Sequence, residues 1–116
     1  MSTRCNVIVK DKFDKFFLYH HCDGYPEGVG NDLVNRFKSL FEKDEKVWWM
    51  DLVNPLVKDP NHNYELTDCV HLDVEYLYTI DCDEKTIYYQ TVTTNWNKDD
   101  FHQTFGKKQY LLESKT

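Results

Sequence analysis

The sequence predicts an α+β domain: two antiparallel β-hairpins in the order ββα(α)ββ, one mainly antiparallel sheet, and helices packed on one face. Three observations carry this. Residues 4–11 and 16–21 alternate and are rich in β-branched and aromatic side chains. Residues 70–80 alternate again, followed by a return strand. Between them, apolar residues recur at helical spacing. The 116 residues suit one core and leave no room for a second. Residues 1–116 are therefore read as a single globular domain, with 95–116 as a C-terminal segment packed on it.

The first strand places Cys5, Val7 and Val9 on one face and Asn6, Ile8 and Lys10 on the other. Residues 11–15 are polar and form the first turn. In the second strand Phe16, Leu18 and His20 share a face, opposite Phe17, Tyr19 and His21. The segment Asp23-Gly24-Tyr25-Pro26-Glu27-Gly28-Val29-Gly30 holds three of the four glycines, which marks a shaped turn. Asn31 or Asp32 is placed to cap the next helix. Leu33, Val34, Phe37, Leu40 and Phe41 give that helix, over 31–43, one buried face.

Residues 47–53 read as a short helix, with a strand as the alternative. Asp44 would cap it and Pro55 would end it. Residues 54–68 read as a long loop with an extended piece at Leu56-Val57. Val70, Leu72, Val74, Tyr76, Tyr78 and Ile80 form the apolar side of the next strand. A turn over 81–85 and a strand over 86–94 complete the hairpin. In the tail, Trp96, Phe101 and Phe105 are expected to pack onto the domain, and 109–112 to form a last strand or helical turn.

Net charge is −6, and Arg4 and Arg36 are the only arginines, which argues against nucleic acid as a partner. No apolar run reaches the ~18 residues of a membrane span. The N-terminal residues lack the pattern of a secretory signal, so a cytoplasmic location is expected. The four cysteines form no Cys-x-x-Cys pair and read as free thiols.

The richest chemistry lies at residues 19–28. Two imidazoles, a thiol and a carboxylate fall within four residues, but adjacent His20 and His21 point to opposite sides of a strand. No metal is expected, and no cofactor. The glycine-rich turn matches neither phosphate-binding pattern and contains Glu27 and Asp32 in place of a lysine. Cys22 beside His20 and His21 lacks a third orienting group. Neither Ser2, Ser39 nor Ser114 sits in a nucleophile motif. The aromatic content of 16% exceeds the evident needs of a small core. Trp48, Trp49, Tyr76 and Tyr88 are thus the expected interface residues.

The opening Ser2-Thr3-Arg4-Cys5-Asn6-Val7-Ile8-Val9 and the stretch Tyr19-His20-His21-Cys22-Asp23-Gly24-Tyr25-Pro26 resemble a family of small uncharacterised phage and bacterial proteins. That family opens on Thr-Arg-x-x-Ile-x-Val and carries a Tyr-x-His-x-Asp-Gly-Tyr-Pro turn. Residues 73–81 resemble its second hairpin more loosely. The resemblance implies an origin, with a bacterial host cell as the setting, and no activity. It singles out Arg4, His21, Asp23, Tyr25 and their neighbours as positions to follow, with an Arg4–Asp23 ion pair expected. Two functions follow. One is a non-catalytic acidic binding or inhibitory accessory protein with a protein partner or a second copy of itself. The alternative is a small-molecule site or small enzyme at His21, Asp23, Tyr25 and Glu27.

Overall fold

A computed structural model describes residues 3–61 and 64–113. Ser2, residues 62 and 63 of the expected loop, and Ser114 with the end of the tail lie outside the described residues. Over the described residues the fold is α+β, with seven strands in a mostly antiparallel sheet and two helices. In chain order these are β1 (Cys5–Lys10), β2 (Lys15–His20), α1 (Asn31–Glu42), α2 (Met50–Lys58), β3 (Glu65–Thr67), β4 (Tyr76–Asp81), β5 (Thr86–Asn95), β6 (His102–Phe105) and β7 (Gln109–Leu112). The order across the sheet is β3-β2-β1-β4-β5-β6, and β7 also pairs with β5.

β1 pairs antiparallel with β2 and parallel with β4, so the helical segment carries the chain over to a strand beside β1. This parallel seam and three short strands lie beyond the ββα(α)ββ layout. It also sorts the ends of the molecule. β1 and β4 finish at the same end, where Cys82 N donates to Lys10 O at 2.9 Å. β5 runs antiparallel to β4 and carries its hairpin with β6 to the opposite end.

Alternation gives each sheet face its own core. Cys5, Val7, Val9, Leu18, Tyr78, Ile80 and Ile87 pack against Leu33, Phe37, Phe41, Leu52, Val53 and Leu56 of the helices. On the second face, Ile8, Tyr19, Leu77 and Val92 are covered by Val70 and Val74. Residues 70–75 are therefore a covering loop and not the start of a strand, and β4 begins only at Tyr76. Cys5 and Cys82 are buried thiols, and burial pushes Cys82 up to about 12.

The helices depart from expectation at their ends. Winding starts at Pro26, in a π-helical turn Pro26–Gly30 that runs directly into α1. Proline suits a first helical position, where its missing N–H is not needed, so neither Asn31 nor Asp32 caps. α2 starts at Met50, with Asp51 accepting from Trp48 N at 3.2 Å, so Asp44 does not cap it. Pro55 does not end α2, and Leu56 and Val57 are helical rather than extended. Leu52, Val53 and Leu56 form one buried stripe across the proline, and that burial outweighs one lost backbone bond. The tail is strand, with Gly106 N donating to Thr91 O at 2.8 Å between β6 and β7.

The β1–β2 turn is held by one carboxylate. Asp11 Oδ1 accepts from Phe13 N and Asp14 N, both at 2.8 Å. These bonds hold the Asp11 carboxyl below its ordinary range. A lowered folded value means the contribution is present above the ordinary aspartate pKa and is lost as pH falls through the lowered one. Amide exchange at Phe13 and Asp14, corrected for intrinsic rates, is expected to quicken on acidification below that range. In Asp11→Ala it should be fast at every pH. Equal protection in the two proteins at neutral pH would refute the role.

Candidate functional site

The glycine-rich turn is a lock built from backbone. Asp23 takes a left-handed conformation at φ 53°, tolerated by aspartate better than by most residues. Gly24 N donates to Thr3 O at 2.9 Å, and Val29 N donates to Asp23 O at 2.9 Å. Gly24 crosses the start of β1 so closely that a Cβ there would lie 2.9 Å from Thr3 O. A Cβ on Gly28 would lie 2.2 Å from Asp23 O. From the sheet, buried Tyr78 donates its hydroxyl to Gly24 O at 2.7 Å.

The five residues expected to form a site do not converge. Asp23 and Tyr25 meet, hydroxyl to Oδ1, at 3.3 Å. The Asp23 charge and this bond push the Tyr25 phenol up. Glu27 is exposed on the π-helical turn. Arg4 and His21 lie on the second sheet face, where Arg4 Nε is 3.4 Å from His21 Nδ1. Arg4 pairs with Asp73 at 3.3 Å, and not with Asp23. The covering loop places Asp73 there, while the left-handed turn carries Asp23 toward the helices. Tyr19 adds its hydroxyl to His21 Nδ1 at 3.1 Å and stacks on His71 at 4.2 Å.

A pocket of about 250 Å³ opens beside the turn, lined by His20, Cys22, Asp23, Asp32, Asn61 and Tyr64 among others. Several of its polar groups already bond within the chain. Tyr64 donates to Asp32 Oδ2 at 2.9 Å, and Arg36 Nε meets the same oxygen at 2.8 Å. Arg36 also pairs with Asp59. Burial, then the Asp32 charge, pushes the Tyr64 phenol far up, so it acts as a donor. His20 Nδ1 lies 2.5 Å from Cys22 O. A carbonyl only accepts, so that nitrogen carries the proton. Asp32 directly follows the turn, while Arg36, Asn61 and Tyr64 come from further along the chain, and no local motif announces them. Among the described residues, no group of three His, Cys, Asp or Glu side chains is placed to hold a metal ion. None of their helices is long and apolar enough to cross a membrane.

The expected interface residues are dispersed. Trp49 stacks on Phe16 at 4.1 Å, and Tyr76 packs with Tyr89 against the helix-side core. Tyr88 is buried on the second face under Tyr110. Only Trp48 is exposed, at 47%. It joins Phe13, 71% exposed at the β1–β2 turn. Lys46 spans the two rings, 4.1 Å from the Trp48 centroid and 5.9 Å from that of Phe13. Lys12 stands 5.2 Å over Phe13.

A second exposed pair tops the β5–β6 hairpin. Trp96 and Phe101 are 62% and 46% exposed. They pack edge to face on each other at 5.5 Å and belong to neither core, so they do not pack onto the domain as expected. The turn between β5 and β6 is too far along the sheet for the helices to cover. No family model matches the chain, and neither a curated protein nor a solved structure matches it, so its geometry alone bears on function.

Proposed function

We propose that this chain is a non-catalytic, acidic protein-binding module, an accessory or inhibitory factor of phage or mobile-element origin acting in the bacterial cytoplasm. The origin and setting rest on the resemblance of its opening strand and Asp-Gly-Tyr-Pro turn. The binding role rests on one observation above all: the Trp96–Phe101 pair raised on a hairpin tip. Large rigid aromatics with no intramolecular core to fill are the commonest anchors of protein interfaces. Asp99 and Asp100 lie in the same turn and are exposed, so the fitting partner is a basic surface with an apolar centre.

The test compares the wild type with Trp96→Ala/Phe101→Ala. Both positions are exposed, so the thermal midpoint should move by no more than about 2 °C. The wild type should retain one stoichiometric basic protein from bacterial lysate at low salt, and the variant should lose it. Retention of that same protein by the variant as well would overturn the assignment of the tip.

A small-molecule role has the pocket in its favour, although Asp23 alone of His21, Asp23, Tyr25 and Glu27 lines it. A ligand held there would raise the thermal midpoint, and Asp23→Ala would abolish the rise.

A further inference from the structure

The complement that the hairpin tip requires is present on the opposite end of the same chain. There Phe13 and Trp48 form an exposed aromatic surface, with the ammonium groups of Lys12 and Lys46 over the rings. We propose that copies of this chain associate head to tail, the acidic aromatic tip of one docking on the lysine-flanked Phe13–Trp48 surface of the next. This rests on the reading of the tip as a protein-binding surface and names its partner as a second copy.

Three features support the pairing. First, the charges match across the joint. Lys12 and Lys46 stand over one pair of rings, and exposed Asp99 and Asp100 lie in the turn that joins the other pair, Asp100 being 3.4 Å from His102. Each end also holds the opposite sign, Lys98 at the tip and Asp11, Asp14, Asp44 and Glu45 beside Lys12 and Lys46, with Asp11 in the field of both lysines, so the attraction is confined to the rings. Second, both surfaces are preorganised, which lowers the entropy cost of docking. Asp11 holds the Phe13 turn, and Asp51 accepts from Trp48 N at 3.2 Å. At the tip, Asn95 Oδ1 accepts from Asn97 N and Asn97 Oδ1 from Asp99 N, both at 3.0 Å. Third, pairing like ends would set lysine on lysine or aspartate on aspartate. Opposite ends instead join heterologously, and such contacts propagate unless a rotation closes them.

Sedimentation velocity on the full chain tests this. Between about 1 μM and about 1 mM, a range that covers weak association, the average mass of the wild type should rise with concentration and fall back at high salt. Phe13→Ala/Trp48→Ala blocks one end and Trp96→Ala/Phe101→Ala the other. Each variant alone should be monomeric at every concentration. Their equimolar mixture retains one competent joint and should form a dimer and nothing larger. The proposal falls if the wild type is monomeric throughout, if either variant self-associates like the wild type, or if the mixture stays monomeric. Thermal midpoints near that of the wild type show that the variants are folded. A monomeric wild type whose tip still retains a basic lysate protein would sink self-association and leave the binding role standing.

Discussion

Replacing Asn6 with leucine is expected to destabilise the domain by about 3 kcal/mol, although leucine has the same branched side chain of four heavy atoms. Asn6 is fully buried in the middle of a strand. Its Nδ2 donates to Leu18 O at 2.8 Å and lies 3.4 Å from Cys69 O, while its Oδ1 accepts from His71 N at 2.8 Å. One amide thus satisfies β2 and both ends of the segment that starts the covering loop. Leucine would take a donor from the Leu18 carbonyl, and the Cys69 and His71 groups would regain only part of their bonding from water. Orphaned buried groups cost about 1–3 kcal/mol each. The loss should be local before it is global. Residues 68–75 would detach first and expose Ile8, Leu77 and Val92, which they cover with Val70 and Val74. Urea denaturation measures the total, and amide exchange at His71 and Val74 measures the local part. Asn6→Asp separates the roles, since a carboxylate accepts from His71 N but donates to neither carbonyl. It should fail as badly as leucine at neutral pH. A loss under 1 kcal/mol in Asn6→Leu, with His71 still protected, would show that the amide is dispensable.

Asn6 also shows where sequence reading stops. Alternation placed it correctly on the face opposite Cys5 and Val7. On a sheet with helices on one side, a polar residue on the other side is expected to meet water. What buries Asn6 is a loop more than sixty residues away, folded over that face, with contacts that have no period and no local signature. The same loop explains the overlong strand expected from residue 70. Val70, Leu72 and Val74 alternate like a strand, yet Leu72 is exposed while Val74 is buried in the second core. Elements with their own period, β1, β2, α1 and β5, were legible because local pattern and tertiary role agree there. β3 and β6 are three and four residues long and are specified by the strand they join, whereas β7 falls on residues 109–112, where a strand is one of the two expected outcomes. The site residues divide in the same way. Asp23 to Gly30 stand together in the chain, and the sequence marks them as a shaped turn. Phe13 gains significance only because Lys46, which also stands over Trp48, reaches it from the α1–α2 connection.

Whether that turn is a structural lock or a site is decided at Gly28 and Asp23, where the two views predict opposite results. Alanine at a helical glycine ordinarily stabilises by up to about 1 kcal/mol. At Gly28 it must push a backbone carbonyl away from 2.2 Å, and that carbonyl belongs to the left-handed Asp23 and already accepts from Val29 N. Neither group is the flexible end of a side chain, so the strain cannot be relieved cheaply. Gly28→Ala should therefore lose about 3 kcal/mol net, at the upper end of overpacking costs. Protection of the Val29 amide should fall first. Tyr78→Phe should lose about 1–2 kcal/mol, because Gly24 O is left without the hydroxyl. Asp23→Gly supplies the deciding comparison. Glycine adopts φ 53° without strain, and its extra freedom in the unfolded chain offsets the relief, so stability should change by less than about 1 kcal/mol. If the carboxylate serves only to populate this backbone conformation, Asp23→Gly will keep the fold and the lysate partner alike. A stable Asp23→Gly that has lost that partner, beside a Gly28→Ala of wild-type stability, would make the turn the site and leave the lock without support.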